Sequence, residues 1–152
     1  FSHKDSRDYL SSGQGVYDYK NASNWLALNS CDEEKVFNPS FDQMPGLFYW
    51  NQKNYYVVGL DPTFLYRHDK NLYWQWHKVA YDSPGQDFSL KDLHDILLND
   101  FDTPYLFADT VQQADLIEFI DTEDSSQISF IKKYTDDFVT VYKIANYPAV
   151  CD

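Results

Sequence analysis

Three aspartates occupy the positions where an α/β protein usually keeps its chemistry. Asp42 follows the first strand candidate, Asp61 the second and Asp109 the third, and ligands of open α/β sheets sit beyond the carboxyl ends of the strands. Carboxylates converging there would offer the oxygen ligands that Ca²⁺ or Mg²⁺ favours. They would also do acid–base work if their surroundings set their pKa values apart. A metal-dependent hydrolase is therefore one reading. The plainer one is that each Asp caps the turn or helix after it, because Asp is favoured in both places.

A second group of residues is aromatic: Phe48, Tyr49 and Trp50, then Phe64, Tyr66, Tyr73, Trp74 and Trp76. Tyr73 and Trp76 are three apart and Trp74 lies on another side, so a helix here carries rings on more than one face. One set enters the core. The other faces a neighbouring domain, a membrane-proximal surface or a glycan. Rings beside carboxylates and amides suit sugars, which offer both apolar faces and hydroxyls. The candidate binding surface is thus Asp42, Asn51, Asp61, Thr63, Tyr66, Trp74, Trp76 and Asp109. His3, His68, His77 and His94 add no metal motif: HExxH and Cys-x-x-Cys are absent from the sequence, as are G-x-S-x-G, the phosphate loop and G-x-G-x-x-G. No residue is assigned a catalytic role.

The chain has 152 residues and a hydrophobic content of 43%, which fits one globular core. Its aromatic content of 18% is high, with 13 Tyr, 11 Phe and 4 Trp. The 24 acidic against 12 basic side chains give a net charge of −12, a sign that repels phosphate backbones and argues against a nucleic-acid partner. An anionic membrane would also repel such a chain unless it were tethered. No apolar run reaches the roughly 18–20 residues of a membrane-spanning helix, and a start at Phe1 reads as a piece of a longer or processed protein. Cys31 and Cys151 fit either free thiols or one long-range disulfide. Closing so long a loop would stabilise the fold by about 4–5 kcal/mol in the entropy model.

Periodicity and turn residues then place the elements that must position these groups. Residues 1–20 read as a polar lead-in, 21–146 as a single α/β domain and 147–152 as a tail. Asn21-Ala22-Ser23 opens a helix with Trp25, Leu26 and Leu28 as its apolar side, and is also a glycosylation sequon. Lys35 to Asn38 reads as a strand, and 42–51 as a short helix opening near Pro45. The run Tyr55 to Leu60 reads as a central strand covered on both faces, broken by Asp61-Pro62-Thr63. Leu72 to Val79 reads as a helix, and Ser89 caps another through Leu90, Leu93, Ile96 and Leu97. A third strand, Tyr105 to Ala108, is followed by a helix from Val111 to Ile120. Ile128–Tyr134 and Phe138–Ile144 form a terminal hairpin. This order predicts an α/β fold of three layers: a mainly parallel sheet, helices on both faces, and a C-terminal antiparallel β-hairpin.

The segments Val36-Phe37-Asn38, Phe41 to Asn51, and Asn54 to Tyr66 with its Gly59-Leu60-Asp61-Pro62-Thr63-Phe64 block also carry a resemblance. They resemble the C-terminal soluble region of bacterial multi-pass membrane proteins of the dolichyl-phosphate-mannose-type glycosyltransferase kind. Ala22 to Asn29 is similar to the helix that opens that region. Tyr105 to Asp109 and Val139 to Ile144 look like its later strands. The resemblance implies an extracytoplasmic domain, periplasmic or at the cell surface, that follows the last membrane helix. It implies a non-catalytic accessory domain packing on, or gating, the transmembrane part of its own parent chain, with a glycan or lipid-linked sugar nearby. The catalytic acid or base of such enzymes belongs to an outer loop near the first membrane helices, so no catalytic residue is carried over. The acidic stretch Asp121 to Gln127 and the tail Tyr147 to Asp152 depart from the pattern.

Overall fold

The computed structural model of the chain describes residues 17–148. Most of the lead-in, His3 and Cys151 lie outside the described residues. The elements are α1 (Lys20–Asn29), β1 (Lys35–Phe37), α2 (Met44–Trp50), β2 (Tyr55–Tyr56), α3 (Thr63–His68), α4 (Lys70–Tyr81), α5 (Leu90–Asp95), β3 (Tyr105–Asp109), α6 (Ala114–Glu123), β4 (Phe130–Thr135) and β5 (Val139–Ile144). A tight 3₁₀ turn, Phe41–Gln43, leads into α2, and a wider π turn, Ile96–Asp100, ends α5.

The five strands make one mixed sheet in the order β2-β1-β3-β5-β4. β1 runs parallel to β2 and to β3. β5 is antiparallel to both of its neighbours, β3 and β4. The expected mainly parallel sheet is therefore corrected to one in which half the pairings are antiparallel. The predicted hairpin forms, with a bulge between Lys132 and Tyr134, and its second strand lies against β3. Asp136 closes its turn by accepting from Phe138 and Val139 N–H, both at 2.8 Å.

The centre of the sheet is also not where the apolar run Tyr55 to Leu60 suggests. β3 is the strand whose five residues are all buried, whereas β2 is two residues long and sits at an edge. The ladder there is continued by a side chain. Val57 N–H donates to the Val36 carbonyl; beyond it Asn38 Nδ2 donates to the Val58 carbonyl at 2.8 Å, and Val58 N–H donates to Asn38 Oδ1 at 3.1 Å. An apolar run looks the same whether a strand or a bulky neighbouring helix buries it, so its sequence does not distinguish edge from centre.

Side chains alternate across the sheet into two apolar clusters. Phe37, Leu106, Tyr142 and Ile144 meet Trp76 and Val79 of α4, Leu93 and Leu97 around α5, and Leu116 and Ile120 of α6. Val36, Tyr105, Phe107, Val139 and Val141 meet Tyr19, which precedes α1, Ala22 and Leu26 of α1, and Leu47 of α2. Ser89 caps α5 as its sequence predicts: its Oγ accepts from Asp92 N–H while Asp92 Oδ2 accepts from Ser89 N–H. Leu28 does not join the apolar side of α1; it lies two residues beyond Leu26 and is exposed. Ser23 is inside that helix and buried, not capping it. No helix among the described residues is long and apolar enough to cross a membrane.

Candidate functional site

The connection from β1 passes through α2 on one face and returns at β2. The connection from β3 passes through α6 and leads the other way, to β4. The gap between the carboxyl ends of β1 and β3 is thus a topological switch point, the usual ligand position in such sheets. Here it is filled by the protein's own polar groups. Asp109 Oδ1 accepts from Val111 and Gln112 N–H at 2.8 and 2.9 Å, and Oδ2 accepts from the Tyr19 hydroxyl at 2.8 Å. Gln113 Oε1 accepts from Asp109 N–H and from Gln43 Nε2, at 2.8 and 2.7 Å. Asp42 accepts from Ser40 Oγ at 2.5 Å and from Gln112 Nε2 at 3.3 Å. Burial first, then the bond to Asp109 and nearby carboxylates, push the Tyr19 hydroxyl far above the usual phenol range. The network fixes the loops after both strands and keeps that phenol neutral.

Asp61 does not join this group. Its Oδ1 accepts from Thr63 N–H at 2.8 Å at the start of α3, and it is exposed. That backbone bond, with a lesser pull from Arg67, holds its carboxyl below the usual range. The structure brings two of the three expected aspartates together, Asp42 and Asp109 through Gln112, while Asp61 stands apart at the turn into α3. Among the described residues no group of three or more His, Cys, Asp or Glu is placed to hold a metal ion. The reason is geometric. Asp61 lies five residues past a two-residue edge strand, on a turn that leads away to α3.

Two other residues of the predicted surface are inside the molecule. Asn51 is buried, donating to Asn54 Oδ1 at 2.6 Å and accepting from Lys53 N–H at 3.0 Å. Trp76 is 0% exposed, and its indole N–H donates to the Asn38 carbonyl at 3.2 Å. This bond ties α4 to the residue that extends the β1–β2 ladder.

Thr63, Tyr66 and Trp74 do lie outside. With Phe64, 70% exposed, and Tyr81, 59% exposed, Trp74 at 56% and Tyr66 at 38% belong to a ridge on α3 and α4. Lys70, Trp74, His77 and Tyr81 follow at spacings of four, three and four, so they share one side of α4. The rings touch in series: Tyr66–Tyr73 at 5.2 Å, Tyr73–Trp74 at 5.1 Å, Trp74–His77 at 5.2 Å and His77–Tyr81 at 4.8 Å between centroids. Lys70 Nζ stands 5.4 Å from the Tyr66 ring. Lys70 and Tyr81 were not among the predicted residues; the helical spacing from Lys70 onward is the signal that finds them. A separate open groove of about 350 Å³ lies between the Ser83–Gln86 loop and α6, rimmed by Asp115, Glu118 and Glu123.

No family model, no curated protein and no solved structure matches this chain. Its reading therefore rests on its own residues. Cys31 is in disulfide form, not a free thiol; Cys151, the other cysteine of the sequence, lies outside the described residues.

Proposed function

We propose that this chain is a non-catalytic extracytoplasmic accessory domain of a membrane-bound glycosyltransferase, with helices layered on both sides of its sheet. The α3–α4 face turns toward the membrane-embedded catalytic part and packs on it or gates it. The observation that carries the reading is the exposed aromatic ridge beside the Asp61-Pro62-Thr63 turn. A contiguous set of exposed rings on an otherwise acidic surface marks a contact site. Two further features support it. Cys31 in disulfide form suits an oxidising compartment outside the cytoplasm. The most specific block of the sequence resemblance, Gly59 to Phe64, leads directly into the ridge.

The test is to place Phe64→Ser with Trp74→Ser in the full-length parent and measure transfer from a polyprenyl-phosphate sugar donor in membranes. Transfer is expected to fall while the melting temperature of the 152-residue chain is unchanged. Undiminished transfer would sink the reading, as would sugar transfer by the 152-residue chain alone. A second reading, a glycan-binding module, is favoured by the exposed ring of Trp74 next to His77. Saturable quenching of tryptophan emission by an oligosaccharide, lost in Trp74→Ser, would select it.

A further inference from the structure

We infer that Asn21 is an N-glycosylation site, filled during synthesis on the outer side of a membrane from a sugar carried on a polyprenyl diphosphate. The inference rests only on the extracytoplasmic part of the accessory-domain reading, not on any contact of the α3–α4 ridge. What it adds is a covalent modification, and a reason for a buried hydroxyl that the fold does not use.

That hydroxyl is the first observation. Ser23 is 0% exposed, and among the described residues its Oγ is the buried side-chain polar atom that has no hydrogen-bond partner. Leaving such a group unpaired opposes folding, and Ala, the better helix former, would fill the same place without that cost. Ser30, just past the end of the same helix, shows the ordinary pattern. It is buried too, but its hydroxyl donates to the Leu26 carbonyl at 2.6 Å and accepts from Asn54 Nδ2 at 2.8 Å. Ser23 therefore keeps a polar atom that has no task in the folded state, and the triplet Asn21-Ala22-Ser23 supplies a task outside it. N-glycosyl transfer needs a Ser or Thr hydroxyl two residues after the acceptor Asn.

Placement of the acceptor is the second observation. The sequence holds two Asn-x-Ser/Thr triplets, and the other, Asn38-Pro39-Ser40, has Pro at its centre, which the motif excludes. Asn38 is also buried and bonded into the β1–β2 ladder. Asn21 is exposed, and Asn24 and Leu28 continue the same open face of α1 at spacings of three and four. A glycan there displaces no core contact. α1 packs on the sheet face opposite α4, so the sugar leaves the ridge open. Successive residues turn by about 100° in an α-helix, so Asn21 and Ser23 point to nearly opposite sides. One enzyme reads both only while the chain is extended, and transfer therefore precedes the folding of α1. In that step the amide nitrogen of Asn21 bonds to the anomeric carbon of the donor sugar. The bond from that carbon to the diphosphate oxygen breaks, the lipid diphosphate leaves with the electron pair, and the nitrogen releases one proton. Cys31 in disulfide form suits an oxidising compartment outside the cytoplasm, where this transfer would take place.

For the test, the full-length protein is isolated from its native membranes, its free thiols are blocked before any reduction, and it is digested with trypsin. Peptide 21–35 then carries both Asn21 and Cys31, and electron-transfer fragmentation reads the two together. The expected result is a sugar chain on Asn21, lost completely in Asn21→Gln and in Ser23→Ala made in the same cells. In the unglycosylated 152-residue chain, Ser23→Ala is expected to keep or raise the denaturant midpoint of unfolding, since it removes only an unpaired group. Bare Asn21 beside a protected Cys31 overturns the inference and leaves the extracytoplasmic reading standing. Bare Asn21 beside a blocked, hence free, Cys31 overturns both. A sugar chain that survives in Ser23→Ala also overturns the inference. So does a lowered unfolding midpoint in that variant, because the hydroxyl would then hold the fold.

Discussion

Trp74 and Trp76 are two residues apart and chemically identical, so substituting each by Ala separates the core from the ridge. Trp76 is 0% exposed. A Trp side chain buries about 150–250 Å², which at about 25 cal/mol per Å² corresponds to about 4–6 kcal/mol as an upper bound. Measured truncations of large aromatic core residues cost about 3–5 kcal/mol. The lost bond from the indole N–H to the Asn38 carbonyl, 3.2 Å long, adds about 1 kcal/mol. Trp76→Ala is therefore expected to destabilise the fold by about 4–6 kcal/mol, a large part of the 5–15 kcal/mol typical of a domain. Trp74 is 56% exposed and touches the Tyr73 and His77 rings edge to face. Its replacement should cost about 1 kcal/mol or less. The assay is denaturant unfolding of the two variants beside the wild type, followed by circular dichroism and with the slope compared across all three. A Trp74→Ala cost equal to that of Trp76→Ala would refute the division into core and ridge. So would a Trp76→Ala variant as stable as the wild type.

Asp124, at the end of α6, accepts from Ile128, Ser129 and Phe130 N–H at 2.8, 2.8 and 2.6 Å. Asp124→Ala leaves three backbone donors at the entry to β4 without that acceptor and is expected to cost at least about 3 kcal/mol in denaturant unfolding, with Asp124→Asn recovering part of the loss. Burial, then the charge of Glu34, pushes the Tyr105 hydroxyl up to about 12. A folded-state pKa raised above the ordinary phenol value of about 10 contributes stability that is whole below that value and is lost as pH rises from about 10 through 12. Stability measured across this window should fall with pH, and Tyr105→Phe should lessen the fall and remove one late step from the phenolate absorbance titration.

Much of the local structure was legible because its causes are local. Ser89 and Asp92 form a capping box three residues apart, and Leu93, Ile96 and Leu97 repeat at helical spacing. The hairpin follows from two β-rich runs around Thr135-Asp136-Asp137, and Asp136 supplies the turn bonds that Asp is suited to make. The presence of rings on more than one face of α4 was equally readable, because helical spacing alone requires it.

The candidate site was less legible. Trp76 and Asn51 look as suited to a surface as Trp74 and Thr63, yet one pair is buried and the other exposed. Trp76 is buried where α4 meets the β1–β2 edge, a contact joining residues 38 positions apart, and Asn51 is buried against Asn54, which itself bonds Ser30 24 positions away. The ridge is the surface on which the proposed accessory role can be tested.

The three aspartates show the division most clearly. By itself the sequence determined that each would follow a strand candidate and begin a turn, because Asp bonds the backbone two or three residues ahead. Only the tertiary structure decided that Asp42 and Asp109 would meet through Gln112 while Asp61 stays apart on the turn into α3. The physical reason is that capping is fixed by neighbours along the chain. Convergence depends on strand order and loop direction, which are set by burial of both sheet faces among residues far apart in sequence.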